Sequence, residues 1–141
     1  MWAKLADDFC IEWDLPPLRA VAGTVLNHAI AAVLRRLQHG PAAFKIGITT
    51  CPIRRWHNER YGYRLSPDKF ERMVLLLATD RGDGAAYLEA ALIQRFQQTV
   101  GCRNVAPGGE GLNPTPGLMF TYLVISAPAA QRGSACAAPF A

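Results

Sequence analysis

The chain has 141 residues, half of them hydrophobic and 18% charged, with a formal net charge of +4. That length supports one domain with a real core, and the balance of apolar and charged residues excludes a disordered chain. No apolar run reaches the roughly 20 residues of a membrane-spanning helix, and the first residues lack the apolar stretch of a secretory signal.

The four cysteines, Cys10, Cys51, Cys102 and Cys136, form no C-x-x-C pair. This argues against a zinc site or a disulfide framework and for free thiols in a reducing compartment. An intracellular protein without membrane association is therefore the expectation. The charge is unevenly spread: Phe44–Arg72 holds seven Lys and Arg against three Asp and Glu, so the entire net charge arises there. Such a concentration suits a polyanion, although a solvated basic face has the same composition.

In chain order, residues 1–16 carry Trp2 and Trp13 and end at Pro16-Pro17, which reads as an irregular arm with its aromatics packed on the body. From Leu18, apolar residues recur at helical spacing through Val21, Val25, Ala29, Val33 and Leu37 until Gly40-Pro41 stops the pattern. This predicts a long structural helix with His28 and Arg35 on its solvated face. Next, Phe44, Ile46 and Ile48 alternate with Lys45 and Gly47, predicting a strand over 43–49. Thr50 or Cys51 at a cap position, with Pro52 at the first helical position, predicts a short helix over about 52–60. That helix carries Arg54 and Arg55, and cations just past a strand end suit an anionic ligand. A glycine inside the strand signals a close approach to the backbone.

Residues 61–68 are turn-rich, and the apolar run over 70–78 fits a central strand or a buried helix segment. A break at Asp80–Gly84 supplies Asp83 as an N-cap, after which Leu88, Leu92 and Phe96 mark a helix over about 85–99. Glu89 lies beside that apolar stripe. It is either a boundary glutamate reaching solvent or a carboxylate held inward for metal or acid–base work, since burying it unpaired is costly. The glycine-rich stretch 105–117 is a loop, without the flanking strand and helix that a dinucleotide or Walker loop requires. Met119–Ser126 predicts a further strand, and the Ala- and Pro-rich residues 127–141 a disordered tail.

Lys45-Ile46-Gly47-Ile48-Thr49, Arg55, Glu89 and Asn104 together resemble the GIY-YIG nuclease superfamily, in the branch whose second motif reads Lys-Ile-Gly-x-Thr. In that pattern an arginine follows eight residues after the glycine on a short helix. A metal-binding glutamate lies on a later helix, and an asparagine follows a dozen or so residues beyond it. Here Arg55 is eight residues after Gly47, Glu89 is 42 after Gly47, and Asn104 is 15 after Glu89. The resemblance covers about residues 43–105. Two departures stand out. Lys45 occupies a place where a tyrosine usually stands, and no Gly-Ile-Tyr strand precedes Phe44. The stretch Phe120–Ile125 looks like that strand moved to the C-terminus, a circular permutation. It would then run antiparallel beside Phe44–Thr49 and bring Tyr122 into the site. The alternative is an added edge strand with a core tyrosine.

The fold expected is a small α+β domain, spanning residues 17–126, with a mainly antiparallel three- to four-stranded sheet flanked by helices. The resemblance implies a divalent-metal-dependent endonuclease that hydrolyses phosphodiester bonds of nucleic acid, with DNA the first expectation. Glu89 would hold Mg²⁺ or Mn²⁺ with waters, and Arg55 would grip the scissile phosphate. Tyr122, or else Tyr61 or Tyr63, would orient or deprotonate the attacking water, the latter only if Lys45 and the metal lower its pKa. His57 is an alternative base. Arg54, Arg60 and Arg64 would contact the nucleic-acid backbone, and Asn104 would order its loop or touch substrate. Two other readings are a non-catalytic nucleic-acid-binding relative and a protein-interaction module built on the glycine loop and the long helix.

Overall fold

A computed structural model describes residues 10–106 and 117–128. Trp2, the greater part of the glycine-rich loop, Cys136 and the tail from residue 129 lie outside the described residues. The chain runs β1 (Ile11–Trp13), α1 (Ala22–Leu37), β2 (Phe44–Thr49), α2 (Pro52–His57), a 3₁₀ turn (Tyr63–Leu65), β3 (Phe70–Thr79), α3 (Gly82–Phe96) and β4 (Met119–Ser126). The strands form one sheet in the order β1-β3-β4-β2. β4 pairs antiparallel with both β2 and β3, and β1 adds a parallel edge. The expected α+β domain with a mainly antiparallel sheet is therefore the fold observed.

Each face of the sheet has its own core, because successive strand residues point to opposite sides. Phe44, Ile46, Val74, Leu76 and Leu123 pack against Ala29 and Val33 of α1 and Leu88, Leu92 and Phe96 of α3. On the other face Met73, Leu75, Phe120, Tyr122 and Val124 meet Trp56 of α2, with Tyr63 and Phe70. Two covered faces explain why β3 reads as an unbroken apolar run without alternation, and they settle that run as a strand.

Four local expectations change. Residues 11–13, read as part of an irregular arm, form the edge strand β1, held by Met73 N–H donating to the Cys10 carbonyl at 2.9 Å and Asp14 N–H to that of Leu75 at 3.0 Å. The long helix begins at Ala22 rather than Leu18, whose side chain is 97% exposed. Arg19 takes a positive φ of 59° just after Pro16-Pro17, and this interrupts the helical path. The short helix stops at His57, because Asn58 leaves the helical region and its Oδ1 accepts from the Arg60 and Tyr61 N–H groups. Asp83 does not cap α3. It lies inside the first turn with its carboxylate accepting from Gly84 N–H, and Arg81 occupies the cap position.

His28 is the larger correction. It faces β1 rather than solvent, with Nε2 3.0 Å from both the Asp14 carbonyl and Asp14 Oδ1. Asp14 Oδ2 accepts from Arg35 at 2.9 Å and from Arg36 at 2.6 Å, and Arg36 also donates to Glu12 at 2.8 Å. This network clips β1 to α1, across a segment that hydrophobic periodicity describes as two unrelated pieces. Burial pushes the Asp14 carboxyl up, but the hydrogen bonds and charges of Arg36 and Arg35 outweigh it and leave it below its ordinary value.

Because its folded-state pKa is depressed, Asp14 contributes stability that is fully present above the unfolded value of about 3.9. That contribution is lost as pH falls through the lower folded-state value. Asp14→Ala is expected to cost about 2 kcal/mol at neutral pH, the scale of hydrogen bonds to charged groups. In urea titrations the gap between wild type and variant narrows from pH 7 to pH 3. A gap independent of pH would contradict the network.

Candidate active site

A cleft of about 300 Å³ opens along the outer side of β2. Its walls come from both sheet faces, Lys45, Gly47 and Tyr122 from one side and Glu89 of α3 from the other. Arg55 and Tyr63 close it from α2 and the turn beyond, and Asn104 from the segment after α3. Five residues singled out in the sequence (Lys45, Arg55, Glu89, Asn104 and Tyr122) are thus brought together across 78 positions of chain.

The pairing of β2 with β4 builds the floor. The strands run antiparallel with Gly47 directly opposite Tyr122. A Cβ at position 47 would collide with the Tyr122 ring and hydroxyl, so the glycine makes room for this tyrosine to lie over the strand. Tyr122 Oη shares a 2.5 Å hydrogen bond with Tyr63 Oη, and the two rings meet edge to face at 5.5 Å. Both phenols are buried. Tyr63 is a weaker candidate in the sequence, an alternative to Tyr122, and the structure makes the two a pair. The available signal is the Tyr61-Gly62-Tyr63 turn that follows the arginine helix.

Arg55 is held by three groups. Its guanidinium carbon lies 4.1 Å from the Tyr63 ring centroid, a stacked cation–π contact. Nη1 donates to the Tyr61 carbonyl at 2.7 Å, and the cation acts on the Tyr122 hydroxyl by charge and hydrogen bonding. Arg55 is therefore pre-positioned by two aromatic rings and a carbonyl. Lys45 adds a second cation, its Nζ 5.9 Å from the Tyr63 ring centroid.

Burial raises the Tyr122 pKa far above the ordinary tyrosine value, and Tyr63 raises it further by charge and hydrogen bonding. The opposing pull of Arg55 is too weak to reverse this. Among its protein neighbours Tyr122 is thus a neutral hydroxyl at physiological pH, since the pull of Arg55 does not offset burial and Tyr63. It can orient a water but starts with its proton in place.

Asn104 plays the ordering role. Its Oδ1 accepts from Ile46 N–H at 2.9 Å and its Nδ2 donates to the Ile46 carbonyl at 2.8 Å, so the side chain imitates a neighbouring strand. Just upstream, Phe44 N–H donates to Gly101 and Arg103 N–H donates to Phe44. The edge of β2 is capped there by a parallel segment that ends in the Asn104 amide.

Other sequence candidates lie elsewhere. His57 and Arg54 line a separate shallow depression with Arg60, because two positions along a helix rotate a side chain by about 200°. His57 is therefore not positioned as the base for this cleft. Arg64 is exposed on the 3₁₀ turn, and Tyr61 contributes its carbonyl, not its hydroxyl, to Arg55. Glu89 is half-buried at the cleft wall. Among the described residues no group of three or more His, Cys, Asp or Glu is arranged to hold a metal ion. Glu89 is the carboxylate among the described lining residues that could hold a cation.

Asn104→Ala removes both hydrogen bonds to Ile46 and is expected to destabilise the fold by about 2 kcal/mol. Hydrogen exchange at the Ile46 amide should accelerate more than at Leu123, whose partners are sheet backbone. Gly47→Ala is expected to cost about 1–3 kcal/mol by overpacking against Tyr122, read as a lowered urea midpoint.

Set against known protein families, curated proteins and solved structures, the chain matches none.

Proposed function

We propose that this protein is a GIY-YIG-like endonuclease that hydrolyses phosphodiester bonds of nucleic acid with the help of a divalent cation. The observation that carries this reading is the convergence of Arg55, Glu89 and Tyr122 in one cleft, with Lys45 and Tyr63 beside them. The antiparallel placement of β4 beside β2 also supports a permuted arrangement, in which β4 supplies the strand that would otherwise precede Phe44.

Each residue has a role that its surroundings support. Arg55, fixed by the Tyr63 ring and the Tyr61 carbonyl, binds the scissile phosphate and stabilises the charge that grows on it. Lys45 adds positive potential at the same place. The Tyr122 and Tyr63 hydroxyls hold the attacking water by hydrogen bonds, each phenol keeping the other in position. Glu89 is the residue that would hold Mg²⁺ or Mn²⁺, which when bound supplies a more acidic water and neutralises phosphate charge. Asn104 fixes the edge of β2 and with it the height of Lys45 and Gly47. Arg54, Arg60 and Arg64 form a basic surface suited to backbone phosphates outside the cleft.

The test is cleavage of supercoiled plasmid with Mg²⁺ by wild type, Glu89→Ala and Arg55→Ala. Glu89→Ala should abolish nicking, and Arg55→Ala should slow it by about 10²–10³-fold, the usual effect of removing one transition-state donor. Equal nicking by all three proteins would exclude this cleft as the active site. Salt-dependent binding without cleavage would return the reading of a non-catalytic nucleic-acid-binding relative.

A further inference from the structure

The Tyr61 ring is half exposed, and neither the core nor the cleft explains why a large aromatic stands there. Its backbone, by contrast, is pinned from both sides. Tyr61 N–H donates to Asn58 Oδ1 at 3.2 Å, and its carbonyl accepts from Arg55 Nη1 at 2.7 Å. The next residue, Gly62, donates its N–H to the Asn58 carbonyl at 2.9 Å. Gly62 is packed so closely on Trp56 and Asn58 backbone that no side chain fits there. The turn therefore fixes the backbone from which this half-exposed ring projects beside Arg55. The Arg55 guanidinium lies 5.6 Å from the Tyr61 ring centroid, and exposed Arg60 and Arg64 flank the turn.

Alternating cations with an open ring beside a phosphate-binding arginine is the pattern that tracks an unpaired strand, cations on the backbone and the ring under a base. Bases within a duplex are stacked on one another and offer no free face to Tyr61. We infer that Tyr61 is a stacking platform for an unpaired base, so that the substrate presents a single-stranded segment next to the phosphate gripped by Arg55. This inference rests on the nuclease reading above and specifies its substrate class as nucleic acid with an unpaired segment.

The experiment compares full-length wild type, Tyr61→Ala, Tyr61→Phe and Arg55→Ala, with EDTA present to prevent cleavage. Two probes are used: a single-stranded DNA carrying 2-aminopurine at alternate positions, and a blunt duplex of the same sequence. Wild type should quench 2-aminopurine on binding. Tyr61→Ala should lose the quench and lower single-strand affinity, relative to duplex, by about fivefold or more, the lower end of base–aromatic stacking. Tyr61→Phe, which keeps the π face, should retain both properties, and coincident melting curves would show that the turn has not collapsed. If Tyr61→Ala matches wild type in quench and in affinity ratio while Arg55→Ala weakens binding, the platform is overturned and the nuclease reading survives. If Tyr61→Phe is as defective as Tyr61→Ala, the hydroxyl is responsible and stacking is overturned. If wild type binds neither probe, both readings fail together.

Discussion

The pairing of Gly47 with Tyr122 is the constraint from which the rest of the site follows. A side chain at position 47 would displace the tyrosine, and a shift of one residue in register would turn Tyr122 to the opposite face. With the register as it is, the phenol lies over β2, reaches Tyr63 and comes under the influence of Arg55. That register is held on one side by the full β2–β4 ladder. On the other it is held by the Asn104 amide, which satisfies both backbone groups of Ile46. Removing either support would loosen Lys45 and Gly47 together, since they share the same short strand.

The electrostatics of the cleft are asymmetric in a way that suits anion binding. Arg55 has aromatic faces and a carbonyl as partners, which orient it in the cleft. Other arginines take carboxylates as partners: Arg35 and Arg36 are matched to Asp14 and Glu12, and Arg103 to Asp68. The first of these sets is structural, joining β1 to α1. Two kinds of arginine environment thus distinguish the ion-paired clip that holds the N-terminal strand from the cleft, where Arg55 rests on rings and a carbonyl. The neutral state of Tyr122 belongs to the same picture, because a phenolate buried beside a second phenol would be poorly solvated.

Much of the fold was legible from local pattern. The alternation over Phe44–Thr49, the Pro52 helix start and the β-branched run over Met119–Ser126 each describe short-range physics, and each element appears where that physics predicts it. Two of the failures, β1 and His28, share one cause. Residues 11–13 are too short to show a period, and their strand exists because β3 and the Asp14 network recruit it. His28 sits on a nominally polar helix face, and only the arrival of β1 gives it a partner. The α1 start was missed because Leu18 and Val21 continue the apolar spacing into a segment that Pro16-Pro17 and Arg19 keep out of the helix.

By itself the sequence determined the types of most elements, the concentration of charge in Phe44–Arg72, and the candidates Lys45, Arg55, Glu89, Asn104 and Tyr122. Residue type and spacing along one strand or helix are local properties, readable without a partner. Only the tertiary structure decided which candidates act together. It brought Tyr122 to Gly47 from the far end of the chain and paired it with Tyr63. It also decided that Tyr122 keeps its proton. Protonation depends on burial and on neighbours from two other elements, Tyr63 of the 3₁₀ turn and Arg55 of α2, which meet Tyr122 only once the sheet has closed.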